Sequence, residues 1–137
     1  MKDIKIGLAG FGTVGRGTWE LLEKNKKKIE KSSKIKISIA AIADPDKSKF
    51  ENVDIPSACH VYSDAFQLLK DKSTDIVIEL IGGETIAKEF VISAIRERKM
   101  VVTANKALLA KYGKQIFGEA ERNGVAVFYE AAIAGGI

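Results

Sequence analysis

Ile4-Lys5-Ile6-Gly7-Leu8-Ala9 runs directly into Gly10-Phe11-Gly12-Thr13-Val14-Gly15, a few residues from the start of the chain. The first stretch reads as a strand, and a helical apolar pattern begins inside the second. The spacing G-x-G-x-x-G between such elements gives each glycine its own task. Gly10 makes the tight turn, Gly12 bares the backbone to a pyrophosphate, and Gly15 lets the helix pack close to the strand. The helix N-terminus then offers free N–H groups and a positive dipole end to the phosphates. Strand before and helix after turn a short motif into a dinucleotide-binding fingerprint.

The rest of the chain repeats the alternation of strand and helix. A helix is expected from Thr13 to about Lys31, with Val14, Thr18, Leu21, Leu22, Asn25 and Ile29 on one face. Strands are expected at Ile35–Ala43, Ala58–Tyr62, Ile76–Leu80, Met100–Ala104 and Val125–Tyr129. Ser63 is placed to cap a helix over Asp64–Leu69. Thr85–Arg98 reads as a helix with Ile86, Phe90, Val91, Ala94 and Ile95 inward. Ala107–Asn123 reads as another, closed by Gly124. Six strands alternating with helices predict an α/β, Rossmann-type, doubly wound parallel sheet of order 3-2-1-4-5-6. Its ligand crevice lies at the carboxyl ends of strands one and four. Residues 1–130 are expected to form the dinucleotide-binding domain. Residues 131–137, apolar and glycine-rich, read as the start of a connection to a further domain.

Composition narrows the function. The chain has 137 residues, 46% hydrophobic and 29% charged, which suits one globular domain. No apolar run reaches the length of a membrane span, and Met1-Lys2-Asp3 enters the first strand without a signal peptide. The net charge is +4, with lysines gathered between Lys24 and Lys36. No aromatic stacking residues accompany them, so they read as a solvated helix end and not as a nucleic-acid surface. Cys59 and His60 are single, which rules out an internal disulfide and a multi-histidine metal site within this sequence. A lone cysteine fits a reducing, cytoplasmic setting. Trp19 reads as helix packing.

Several residues gather at the predicted crevice. Asp44 closes strand two, where an acid accepts hydrogen bonds from the adenosine ribose and repels a 2′-phosphate. It also reads as a turn aspartate before Pro45. Lys47 and Lys49 point the other way, since either can pair with a 2′-phosphate. Gly82 and Gly83 end strand four beside the first glycine loop and leave room for a nicotinamide ribose. Thr103-Ala104-Asn105-Lys106 ends strand five on the same edge. Lys106 faces an unfavourable helix dipole there, and its ammonium suits polarising a carbonyl or orienting a carboxylate. Glu79, inside an apolar strand, reads as a buried carboxylate with a structural partner or one turned to the strand edge. Glu130, at the end of strand six, offers oxygen to a cation.

Four segments together resemble the homoserine dehydrogenases: Gly10–Gly15, Ile78–Gly83, Val101–Ala110 and Tyr129–Ile137. The resemblance implies NAD(P)-dependent interconversion of aspartate 4-semialdehyde and homoserine, a step towards threonine, methionine and isoleucine. It implies that Phe11, Thr13 and Val14 line the cofactor, that Thr103 lies near the nicotinamide, and that Lys106 is an active-site lysine. It also implies that Glu130, Ile133, Gly135 and Ile137 hold a monovalent cation such as Na+. Members of the family continue into a substrate and dimerisation domain, so the complete enzyme is expected to be a homodimer and this stretch alone inactive. Two rivals stand beside this reading: a related amino-acid or semialdehyde dehydrogenase, and a non-catalytic NAD(P)-sensing module.

Overall fold

The computed structural model describes residues 2–129. Within them, β1 (Lys2–Ala9), β2 (Ile35–Ala43), β3 (His60–Tyr62), β4 (Ile76–Glu79), β5 (Met100–Thr103) and β6 (Val127–Tyr129) form one sheet. Its order is β3-β2-β1-β4-β5-β6, and every neighbouring pair is parallel, as the sequence predicts. The helices are α1 (Thr13–Ser33), α2 (Ala65–Leu69), α3 (Thr85–Arg96) and α4 (Lys106–Asn123). The chain winds outward from β1 to β3, crosses back to β4, and winds outward again to β6. Right-handed crossovers therefore put helices on both faces. Trp19 of α1 packs with Ile6, Leu8, Ile39 and Ile42. Residues of α2, α3 and α4 pack with Ala9, Ala41, Val77 and Val101 on the other side. No helix among the described residues is long and apolar enough to cross a membrane.

The long apolar run of β2 has a local cause. Ile6 pairs with Ile39 but Gly7 with Ala41, so Ala40 is an extra residue. Strict alternation would send Ile39 and Ile42 to opposite faces. The bulge rephases the strand and puts both in the same core cluster.

Four expectations are corrected. The α1 face is not the one that counting apolar residues suggests: Val14 and Leu21 are 67% and 62% exposed, while Gly15 and Trp19 are buried. The contact strip is Gly15, Trp19 and Leu22, at helical spacing, and its first member is a glycine that an apolar count passes over. Ile86 of α3 is 58% exposed; Ala87, Phe90, Val91, Ala94 and Ile95 face the core. Asp64, not Ser63, caps α2, its carboxylate accepting from the Phe66 N–H at 2.9 Å. Between β2 and β3 there is a 3-10 turn, Lys47–Phe50, and no α-helix, so the alternation is incomplete there. Strand and helix ends otherwise move by only a few residues.

Cys59 is buried against α1, and His60 is held by a buried carboxylate. Burial, with the Glu23 and Asp71 carboxylates adding to it, pushes the Cys59 thiol up to about 11. His60 Nδ1 lies 2.6 Å from Asp71 Oδ2, which also accepts from the Tyr62 hydroxyl at 2.9 Å. Asp71 Oδ1 accepts from the Ser73 N–H at 3.0 Å. Burial alone would raise the Asp71 carboxyl, but hydrogen bonds from Ser73, His60 and Tyr62 outweigh it and hold it well below the usual carboxylate range. A lowered folded pKa gives stability that is full above the unfolded value, ~3.9, and fades as pH falls through the folded one. Asp71→Asn is therefore expected to lose about 2 kcal/mol at neutral pH, a gap that narrows below about pH 4. Urea melts of both proteins from pH 7 to pH 3 check this; parallel stability curves would refute it.

Candidate functional site

The glycine loop sits where the sheet order reverses, between β2 and β4. Gly10 N–H donates to the Ala43 carbonyl at 2.8 Å, and Leu80 N–H donates to that of Ala9 at 2.8 Å. Gly10 has φ +112°, and a Cβ there would lie 2.5 Å from the Leu80 carbonyl oxygen. Only glycine fits that position. A Cβ at Gly15 would run into the Gly10 carbonyl oxygen, so the start of α1 lies directly on the loop. Gly12 differs from both. Its φ is an ordinary −76°, and the nearest atom to a Cβ would be Lys49 Nζ at 3.9 Å. Space above Gly12 is open. It is also the N-cap of α1 and makes no side-chain cap bond. The first-turn N–H groups of a helix have no partner within the helix, so they are available to an anion at this end of α1. Thr13 and Val14 are exposed at its rim. The Phe11 ring does not reach it: it is buried, stacked on Phe50 at 5.2 Å and edge-on to Trp19 at 6.2 Å. Phe11 contributes to the loop through its backbone, whose N–H is taken by Asp44.

Asp44 anchors this loop from the end of β2. It is buried, and its Oδ2 accepts from the Phe11 N–H at 2.8 Å and from Lys49 Nζ at 3.2 Å. Its Oδ1 accepts from the Asp46 N–H at 2.9 Å. Three donors therefore already meet a carboxylate that has about four acceptor positions. Lys49 is partly exposed, and its ammonium neutralises Asp44 beside the opening over Gly12.

A groove of about 700 Å³ runs along these carboxyl ends, lined by Gly10, Gly12, Asp44, Ser63, Phe66 and Ile86 among others. The first three are legible in the sequence. Phe66 and Ile86 are not, and their signal is faint: Ile86 is an apolar residue left exposed at the head of α3.

The second group lies on the adjoining strand ends. Gly82 and Gly83 both have positive φ, +79° and +72°, and the space around each is open. The Asn105 side-chain amide donates to the Gly83 carbonyl at 2.7 Å, tying the β4 and β5 loops together. Asn105 Oδ1 accepts from the Leu108 N–H at 3.1 Å and so caps α4. Thr103 is fully buried, with its hydroxyl donating to Glu79 Oε1 at 2.7 Å. It stands behind the surface, where it cannot touch a ligand directly. Ala104 and Lys106 are exposed, and Lys106 is the first residue of α4. Glu79 is the buried carboxylate with structural partners. The positions Glu130, Ile133, Gly135 and Ile137 lie outside the described residues, as does the 131–137 connection.

These residues fit a dinucleotide. The loop holds a conformation closed to side chains at Gly10 and Gly15 and open at Gly12, and a groove of sufficient size leads away on the β2 side. Comparison with known proteins agrees. The family model described as homoserine dehydrogenase, NAD binding domain, matches residues 10–130. A homoserine dehydrogenase of Neisseria gonorrhoeae is 47% identical over 137 residues, all of this chain and 31% of that protein. A solved homoserine dehydrogenase of Thiobacillus denitrificans superposes with a TM-score of 0.86 at 42% identity, over 96% of this chain and 30% of that one. A hyperthermophilic archaeal homoserine dehydrogenase solved with NADPH shares the fold, with a TM-score of 0.75 at 22% identity over 95% of this chain and 44% of that one. The chain thus spans about a third of the length of the curated relatives it matches. It belongs to the homoserine dehydrogenase family and corresponds to the NAD-binding domain of those enzymes.

Proposed function

We propose that this chain is the cofactor-binding part of an enzyme that interconverts aspartate 4-semialdehyde and homoserine with NAD(P). The observation that carries the reading is the Gly10–Gly15 loop, latched by Asp44 and open over Gly12. When bound, the nicotinamide supplies or accepts the hydride. The chain's own residues do the rest. The first-turn N–H groups of α1 take the pyrophosphate. The β1–β3 half takes the adenosine, with Ser63, Phe66 and Ile86 on the groove wall. The β4–β6 half takes the nicotinamide nucleotide across Gly82 and Gly83. Lys106, exposed at the head of α4, is the catalytic residue of this domain and holds positive charge towards the carbonyl oxygen as it gains electron density. Most substrate contacts and the proton donor belong to the remainder of the enzyme, a cytoplasmic homodimer. The buried free thiol of Cys59 suits that compartment.

The Asp44–Lys49 pair bears on cofactor choice. Asp44 is matched by Lys49 and two backbone N–H groups, so little of its charge remains to repel a 2′-phosphate. Lys47 and Lys49 stand on the same turn. NADPH is therefore expected to bind more tightly than NADH. Titration of the chain with each, followed by nicotinamide fluorescence, tests both points. Saturable binding supports the function, and an NADPH advantage that shrinks with added salt supports Lys47 and Lys49. Tighter NADH binding would return the ribose to Asp44. Binding of neither would refute cofactor binding by this chain.

A further inference from the structure

Glu79 is a costly residue for its place. It is 2% exposed at the end of β4, in a strand that is otherwise Ile76-Val77-Ile78. A buried carboxylate is expensive to desolvate, and an apolar residue of like volume often stabilises as well or better. Strand stability therefore does not account for it. Its hydrogen bonds do.

Each oxygen serves a different loop. Oε2 accepts from the Ile81 N–H at 2.9 Å and the Gly82 N–H at 3.1 Å. Oε1 accepts from the Thr103 hydroxyl at 2.7 Å. The Thr103 oxygen in turn accepts from the Asn105 N–H at 3.1 Å, and Asn105 donates back to the Gly83 carbonyl. The bonds close a ring: Glu79, the Gly82–Gly83 turn, Asn105, Thr103 and Glu79 again. Among the described residues nothing lies within 4 Å of a Cβ placed on either glycine, so the turn is open on that side. The turn is held by the Glu79 carboxylate at its N–H groups and by the Asn105 amide at the Gly83 carbonyl.

Resting on the proposed cofactor site, we infer that Glu79 is a positioning residue. Its ring of hydrogen bonds with Thr103 and Asn105 sets the Gly82–Gly83 turn and the start of α4 for the nicotinamide half of the dinucleotide. The adenosine half is built on β1–β3, and among the described residues no side-chain hydrogen bond joins it to this ring.

That separation supplies the test. Glu79→Gln can still accept from the Ile81 and Gly82 N–H groups. Its amide then donates to the Thr103 oxygen and leaves the Thr103 hydroxyl proton unpaired. NADPH should bind this variant about tenfold more weakly, with a smaller rise in nicotinamide fluorescence at saturation. 2′,5′-ADP, which lacks the nicotinamide nucleotide, should bind within about twofold of wild type. Thr103→Val should behave in the same way, and Thr103→Ser should restore near-normal NADPH binding. Thr103→Val carries the comparison if Glu79→Gln does not fold. Equal losses for NADPH and 2′,5′-ADP would overturn the inference in favour of general scaffolding, and so would unchanged NADPH binding in both variants. Failure of the wild-type chain to bind NADPH would instead strike the cofactor site itself and remove the ground of the inference with it.

Discussion

Gly12→Val is expected to weaken dinucleotide binding at least about 100-fold while leaving the fold intact. Backbone sterics tolerate the substitution, because Gly12 has φ −76° and ψ −158°, extended backbone at the edge of the β region and not the left-handed conformation that demands glycine. Its new Cβ would meet nothing nearer than the flexible end of Lys49, at 3.9 Å. Valine is a poor helix N-cap, worth a loss of up to about 1 kcal/mol, and the stiffer unfolded chain returns a few tenths. The ligand meets a different situation. Two methyl groups would occupy the opening through which a pyrophosphate reaches the first-turn N–H groups of α1. Each factor of ten corresponds to about 1.4 kcal/mol, so loss of two or three charge-assisted hydrogen bonds amounts to two decades or more. Calorimetric titration with NADPH beside a thermal melt would measure both quantities. Retained affinity would mean that the phosphates do not cross the loop at Gly12.

Gly15→Ala is expected to do the reverse of a usual helix substitution and destabilise the protein by about 2 kcal/mol or more. In an exposed helix, Gly→Ala gains about 1 kcal/mol of propensity. Here the Cβ would run into the Gly10 carbonyl oxygen. The obstacle is backbone, and it is held in place by the Gly10 N–H bond to Ala43 and by the bond from Phe11 to Asp44. Overpacking of this kind costs about 3 kcal/mol, which exceeds the propensity gain. The expected drop in melting temperature is about 5–10 °C. An unchanged or raised melting temperature would show that α1 can lift off the loop freely. The two glycines thus give opposite phenotypes, one losing ligand and one losing stability, three residues apart in one motif.

Much of the fold could be read directly from the chain because it rests on local pattern. Strand β1 followed by three spaced glycines sets the first crossover, and the remaining apolar runs yield strands β2 to β6 in the predicted order. Long-range effects were harder to see. The inward face of α1 hinges on Gly15, which carries no apolar signal. Ile86 carries a strong one and lies on the groove wall instead of in the core. Local spacing could not separate Ser63 from Asp64 as the cap of α2, because both are good capping residues one position apart.

Fold class, sheet order, the glycine loop and part of the set of residues at the carboxyl edge follow from the sequence alone. They do so because hydrophobic period, turn residues and glycine spacing act over a few neighbours. The tertiary structure alone decided what Asp44, Thr103 and Glu79 do. Asp44 meets Phe11 from 33 residues away, and Thr103 meets Glu79 from 24. A carboxylate's role follows from which donors reach it once it is buried, and those donors come together only when the strands pair.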